Sequence, residues 1–98
     1  MNYTVTKLDG RHAANRDFKH MIQLTHCNGP AARMELFNSY RNRCWQSWGP
    51  SCERDTHTML KSKGQPVNEH WAWHTMDFSI LRIYLVDDQD LVWFQLMS

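Results

Sequence analysis

The sequence predicts an α+β fold, a two-layer sandwich in which an antiparallel sheet of about four strands lies under two helices on one face. Three observations support it. Two apolar runs, residues 80–86 and 91–97, flank the polar residues 87–90, as expected for a β-hairpin. Residues 69–76 alternate between apolar and polar side chains, as in a strand. Two segments before residue 50 carry apolar residues at helical spacing, so the predicted order is β-α-α-loop-β-β-β.

The first strand and the first helix are predicted near the N-terminus. Residues 3–8 are rich in β-branched and aromatic side chains and end at the turn dipeptide Asp9-Gly10. Residues 13–27 place Phe18, Met21 and Ile22 at helical spacing, and a stop follows at residues 28–30. We therefore expect a strand and then an amphipathic helix.

A second helix is predicted to begin at Pro30, whose missing N–H suits a first helical turn, and to end at Gly49-Pro50. Arg41 lies within its apolar stripe, which consists of Met34, Phe37, Cys44, Trp45 and Trp48. An arginine at such a position extends to solvent, pairs with a buried carboxylate or faces a partner. The sequence leaves these three alternatives open.

Residues 51–68 are polar and give the weakest pattern. A helical turn over residues 55–61, capped by Asp55 or Thr56, is one interpretation, and an ordered loop is the other. Residues 69–76 then form a strand with Trp71 and Trp73 on one face.

The C-terminal hairpin defines the predicted sheet. Pairing Val86 with Leu91 places all the apolar side chains of one face in a single register, namely Leu81, Ile83, Leu85, Val92, Phe94 and Leu96. On the other face, Tyr84 is predicted to meet Trp93 and Arg82 to meet Gln95. We expect the helices to cover the first face.

Composition indicates one globular domain over residues 1–98. The chain has 42% hydrophobic residues and a net charge of +1, which removes the strongest electrostatic argument for a nucleic-acid binder. Three cysteines, Cys27, Cys44 and Cys52, lack a paired spacing and fit free thiols in a reducing cytoplasm. We find no secretory segment and no apolar run of about 18 residues, so we expect no membrane association.

The chain carries no catalytic or cofactor-binding motif of the P-loop, dinucleotide or nucleophile-elbow type. His70 and His74 have a spacing found in zinc sites, but four residues along a strand separate them by about 13 Å. We therefore expect no enzyme activity, no metal and no cofactor.

Aromatic and basic residues indicate a binding protein. The predicted partner-binding patch joins Tyr84, Trp93 and Arg82 with Trp71 or Trp73, which are residue types that dominate protein interfaces. A tryptophan-rich core that closes both sides of the sheet is the alternative use of these side chains. A second functional hypothesis is nucleic-acid binding through a basic face of the two helices, formed by Arg16, Lys19, Arg33 and Arg43.

In size, in aromatic content and in its lack of a catalytic signature, the chain resembles the small single-domain accessory proteins of tailed phages. That resemblance covers the general character of the chain and implies a protein that inhibits or redirects a host protein by binding it. The expected partner is thus a host or regulatory protein in the host cytoplasm, and the resemblance assigns no residues.

Overall fold

A computed structural model describes residues 2–25, 29–76 and 79–97. They form one four-stranded antiparallel sheet and three α-helices, which confirms the α+β class. The strands are β1 (Tyr3–Lys7), β2 (His20–Leu24), β3 (Trp71–Met76) and β4 (Ile80–Leu85), in the spatial order β1-β2-β4-β3. The helices are α1 (Pro30–Trp48), α2 (Arg54–Ser62) and α3 (Asp88–Met97), and a short 3-10 helix covers Ala13–Arg16.

The element order is β-β-α-α-β-β-α rather than the predicted one. One predicted helix contains a strand, and one predicted strand is a helix. The predicted helix over residues 13–27 is wrong, since its second half is the strand β2. His20, Met21, Ile22 and Leu24 are all buried, so this strand has apolar surroundings on both faces. A strand of that kind has no apolar–polar alternation, and its residues match helical spacing by chance. Residues 26–28, the predicted end of that helix, lie outside the described residues.

The predicted C-terminal hairpin is wrong in its second strand, because residues 91–97 belong to α3, whereas its first strand, predicted over residues 80–86, is confirmed as β4. The Gln89 amide donates to Asp87 Oδ1 at 3.1 Å, and the Asp87 amide donates to Asp90 Oδ2 at 3.3 Å. This reciprocal arrangement is a capping box, which satisfies amides that a helix leaves without partners at its start. The acidic segment therefore begins a helix instead of closing a hairpin.

The real partner of β4 is β3, the strand predicted from the alternation of residues 69–76. Trp71 pairs with Leu85 and Trp73 with Ile83 in an antiparallel register. The strand prediction for residues 3–8 is confirmed by β1, which pairs with β2 at the other edge of the sheet. The second helix is confirmed as α1, which ends at Gly49, a residue with a φ of 86° that glycine adopts without strain.

Helices cover both faces of the sheet. On one face, Ile22, Ile83 and Leu85 pack against α1 and α3, which contribute Phe37, Tyr40, Cys44 and Phe94 to the same core. On the other face, Met21, Ala72 and Tyr84 pack against residues of the β1–β2 connection. α2 joins this second layer through His57, whose ring lies 4.9 Å from that of Phe18. Two helices thus share one face, as predicted. They are α1 and α3, whereas the predicted pair was α1 and a helix over residues 13–27.

Residues 51–68 are ordered around α2, which extends the predicted helical turn at both ends. The helix cap is Glu53, not Asp55 or Thr56, since Glu53 Oε2 accepts a hydrogen bond from the Asp55 amide at 2.8 Å. Asn68 donates through Nδ2 to the carbonyl of Trp48 at 2.9 Å. This polar segment therefore ties the end of α1 to the start of β3.

Candidate protein-binding site

One face of α3 presents three large apolar side chains to solvent. Val92, Trp93 and Leu96 are 55%, 54% and 74% exposed, and we call them the α3 outer face. They lie within one turn of the helix because residues four apart are neighbours on a helix surface. Phe94, on the opposite side of α3, is buried against Tyr3 and Tyr40 with ring centroids 5.4 Å apart in each case. α3 is thus apolar on both its inner and its outer side.

Two histidine–aspartate pairs fix the first turn of α3 to the sheet. His20 Nε2 lies 2.7 Å from Asp88 Oδ1, and His70 Nδ1 lies 2.8 Å from Asp90 Oδ1. The hydrogen bond with His20 holds the pKa of Asp88 below its usual value, whereas burial raises the pKa of Asp90. The pKa values of the two carboxyl groups therefore move in opposite directions because Asp90 is buried, although each carboxyl pairs with a histidine.

The C-terminal end of α3 is held by α1. Arg43 donates to the carbonyl of Met97, and Ser47 Oγ donates to Met97 Sδ at 2.9 Å. Because both ends of the helix are fixed, the outer face is presented on a rigid element, which lowers the entropy lost when a partner binds.

Charge around the α3 outer face is asymmetric. The exposed carboxyl of Asp88 and the half-buried Asp87 stand at the start of the helix, and Arg43 stands near its end. Residues 91–97 themselves carry no charged side chain. The face therefore offers apolar contact, and charges of both signs lie at the start of the helix, where His20, Lys19 and Lys7 lower the pKa of Asp88.

The residues predicted to form a partner-binding patch do not lie on one surface. Tyr84 is fully buried on the face covered by α2, where its hydroxyl accepts a hydrogen bond from Arg54 Nη1 at 2.8 Å. Arg82 lies on the same face and donates through Nε to Gln23 Oε1 at 3.3 Å. Trp71 is fully buried on the opposite face and donates through Nε1 to the carbonyl of Gly49 at 3.0 Å.

Trp93 is an exposed member of that predicted patch, although on a helix and not beside Tyr84. Trp73 is half-buried, with its ring 5.3 Å from the guanidinium carbon of Arg41. The pairing of Tyr84 with Trp93 is wrong because it depended on residues 91–97 being a strand. Tyr84 and Trp71 are both core residues, but on opposite faces of the sheet, and the core around Tyr84 contains no tryptophan among the described residues.

The predicted basic face is not a single surface either. Arg16 lies in the 3-10 helix and Lys19 directly before β2, in the connection that packs on one face of the sheet. Arg33 and Arg43 lie on α1, which packs on the opposite face. The four side chains were expected on two neighbouring helices, and the first of those helices is absent from the described residues 13–25.

Glu53, Asp55 and His74 form an acidic cluster whose ligand atoms all lie within 4.8 Å of one another, as a metal site would need. Two of these contacts already have a structural role, because Glu53 caps α2 and also bonds His74 Nδ1 through Oε1. His74 and His70 do not act together, since His70 bonds Asp90 instead. The expectation of no metal stays a prediction.

Val92 and Leu96 are the residues that sequence reasoning misplaced, since both were predicted to face the core. The signal that could have found them is the spacing of Asp87 and Asp90, which matches a capping box before an apolar run. With a helix in that position, residues 92, 93 and 96 fall on one side and residues 90, 94 and 97 on the other.

Comparison with known proteins gives no relative: no protein-family model, curated protein or solved structure matches the chain. Among residues 2–25, 29–76 and 79–97, no helix combines the length and the apolar character that crossing a membrane requires.

Proposed function

We propose that this chain is a non-enzymatic protein that acts by binding another protein through the α3 outer face. The observation that carries the proposal is the exposure of Val92, Trp93 and Leu96 by more than half on one side of a helix that is fixed at both ends. Contiguous apolar patches of this kind usually mark interaction sites, and tryptophan is enriched among residues that dominate binding energy.

The chemistry of the face defines the partner. A short helix with apolar residues at positions i, i+1 and i+4 suits a hydrophobic groove on a protein. Because Asp88 at the start of α3 already pairs with His20, we expect apolar contact rather than charge to select the partner. The general resemblance to phage accessory proteins supports a host protein as this partner and inhibition or regulation as the outcome.

A cytoplasmic site of action is part of the proposal. Cys44 and Cys52 are free thiols, and Cys44 is buried in the core. Unpaired cysteines of this kind are typical of proteins that work in a reducing compartment.

The test compares capture of cytoplasmic proteins by the wild-type chain, by the double variant Trp93→Ser/Leu96→Ser and by the control Met59→Ser. Met59 is 47% exposed on α2, so its substitution removes exposed apolar surface from the opposite side of the sheet. We expect the same partner with the wild type and with Met59→Ser, and its loss with the double variant at unchanged melting temperature. Binding of the captured protein is then measured with the purified pair.

Three results would contradict the proposal. The first is a partner that the double variant retains. The second is a dimer of this chain, detected by light scattering and abolished by the double variant, because the outer face would then be occupied by a second copy. The third is binding to single- or double-stranded oligonucleotides that weakens steeply with salt and is unchanged when Trp93 is substituted. That result would favour the nucleic-acid hypothesis.

A further inference from the structure

A second surface feature, separate from the α3 outer face, is a groove between α1 and the edge strand β3. Its volume is about 510 Å³, and it is lined by Asn38, Arg41, Asn42, Trp45, Trp71 and Trp73. A step of 100° per residue puts residues 38, 41, 42 and 45 on the side of α1 opposite to Tyr40, Arg43 and Ser47. The latter side contacts Phe94 and Met97 of α3, so the groove and the outer face are independent.

Arg41 is the charged group of this groove, and aromatic rings surround it. Its guanidinium carbon lies 4.8 Å from the centroid of the Phe37 ring and 5.3 Å from that of Trp73. One terminal nitrogen donates to Asn38 Oδ1 on the same helix. Cation–π contact favours the charged guanidinium over the ring face, so the plane of the group is held between α1 and β3.

The charge of Arg41 has no carboxylate partner among the described residues. None of the ion pairs that these residues form includes it, and its Nε is buried without a hydrogen bond. Burial lowers the pKa of Arg41, because the desolvated charge has no compensating anion nearby. Of the three alternatives left open by the sequence, pairing with a carboxylate of this chain is thus not seen in the described part, and the guanidinium instead lies in the groove beside the rings of Phe37 and Trp73.

The groove also provides flat apolar surface beside that cation. Trp45 is 50% exposed, and the rings of Trp45 and Trp73 both line the cleft. The exposed Asn42 adds an amide. A single cation matches one carboxylate better than a phosphate, whose second negative charge would remain uncompensated among the lining residues.

We propose that this groove binds the C-terminal residue of a peptide, with the α-carboxylate on Arg41 and an aromatic or aliphatic side chain against Trp45 and Trp73. A C-terminal residue carries both groups on one Cα, which fits a cleft that has a cation next to aromatic rings. The terminal N–H groups of the guanidinium that do not bond Asn38 donate to the carboxylate oxygens, as in other arginine–carboxylate pairs. This site does not depend on the α3 outer face.

The test follows the tryptophan indole N–H signals by NMR during titration with acetyl-Ala-Ala-Phe as the free acid and as the C-terminal amide. We expect the acid to shift the indole signals of Trp45 and Trp73 and to bind roughly tenfold more tightly than the amide, since the charge-assisted hydrogen bond is lost in the amide. The signal of Trp93 is expected to stay in place. This comparison uses the wild-type chain and needs no variant.

Arg41→Gln and the matched control Arg43→Gln then assign the effect. Both replace an arginine of α1, but Arg43 points toward α3. We expect Arg41→Gln to bind acid and amide equally and Arg43→Gln to keep the wild-type difference. If Arg41→Gln does not fold, Arg41→Lys takes its place; it keeps the charge but not the planar pair of donors, so we expect it to retain only part of the preference for the acid.

Five outcomes would overturn the proposal. Four are equal affinity of acid and amide for the wild type, no binding of either, a preference for the acid that survives in Arg41→Gln, and tighter binding of benzyl phosphate than of the peptide acid. The fifth is binding of free N-acetylphenylalanine as tight as that of the peptide, which would assign the groove to small aromatic acids. None of these results bears on the partner of the α3 outer face, which is tested with Trp93 and Leu96.

Discussion

His70 and Asp90 join the start of β3 to the first turn of α3 through a 2.8 Å contact between His70 Nδ1 and Asp90 Oδ1. The same carboxyl accepts a hydrogen bond from the Asp87 amide and is almost fully buried. It is thus both part of the helix cap and the link between α3 and the sheet. The ring of His70 in turn stacks on Trp48 at the end of α1 with centroids 5.6 Å apart, so one histidine connects three elements.

The two carboxyl groups at the start of α3 predict opposite pH dependences. Burial and the nearby Asp87 raise the pKa of Asp90 above 3.8, so Asp90 contributes stability that is present below pH 3.8 and is lost as pH rises through the raised pKa. The hydrogen bond with His20 lowers the pKa of Asp88, so its contribution is present above pH 3.8 and is lost as pH falls through the lowered pKa.

Asp90→Asn and Asp88→Asn, measured by urea unfolding at several pH values between about 2 and 6, check these signs. The free energy of unfolding of the wild type relative to Asp90→Asn should decrease with rising pH, and that relative to Asp88→Asn should increase. Parallel slopes for the two variants would show that the environments of the two carboxyl groups do not differ as the structure indicates.

Phe94 and Val92 provide a matched test of the two sides of α3. Phe94→Ala should lower the free energy of unfolding by about 3–5 kcal/mol, because it leaves a cavity between Tyr3 and Tyr40. Val92→Ala should change it by less than about 1 kcal/mol, because Val92 is more than half exposed. Chemical denaturation of both variants measures the difference, and a costly Val92→Ala would mean that the outer face is covered.

Substitutions of Tyr84 and Trp93 should have different effects, because Tyr84 is a core residue and Trp93 is a surface residue. Tyr84→Phe removes a buried hydroxyl bonded to Arg54 and should cost about 1–2 kcal/mol in unfolding free energy. Trp93→Ala should leave the melting temperature close to that of the wild type while it weakens partner binding. A large loss of stability in Trp93→Ala would instead place this indole in the core.

Cys44 should be unreactive in the folded protein. Burial raises the pKa of its thiol to about 12, so almost none of the reactive thiolate exists at neutral pH. In iodoacetamide labelling followed by peptide mass spectrometry, Cys44 should be modified only after denaturant is added. Cys52 is half-buried and serves as the comparison, since its pKa is also raised but its side chain is partly accessible. Rapid labelling of Cys44 under native conditions would show that α1 opens.

Four of the seven regular elements could be predicted from pattern with their type and approximate bounds, namely β1, α1, β3 and β4, and α2 was one of two interpretations of its segment. Each of the four has a local signal that agrees with its final surroundings: a turn dipeptide after β1, a proline and a glycine around α1, an alternation in β3, and a short apolar run before polar residues in β4. β2 failed because burial on both faces removes the alternation that identifies a strand. α3 failed because Asp87 and Asp90 fit both a polar turn and a helix cap.

In the candidate sites, too, single residues could be predicted from the sequence but their partners could not. Arg41 was recognised as a charged residue in an apolar stripe, and Trp93 as a candidate contact residue, because each conflicts with its local pattern. The partners of those residues were not predictable, since Trp73 comes to Arg41 and His70 to Asp90 only when strands far apart in the chain pair beside the helices.

By itself the sequence determined the α+β class, the positions of β1, α1, β3 and β4, and the presence of an arginine where a core residue was expected, because these depend on side chains close together in the chain. Only the tertiary structure decided that residues 91–97 are a helix with an exposed apolar face and that Tyr84 is buried. The physical reason is that an apolar run is compatible with either periodicity, and the choice depends on which surfaces remain for it to cover. Here β3 already pairs with β4, so the last apolar run packs across the sheet and leaves Trp93 facing solvent.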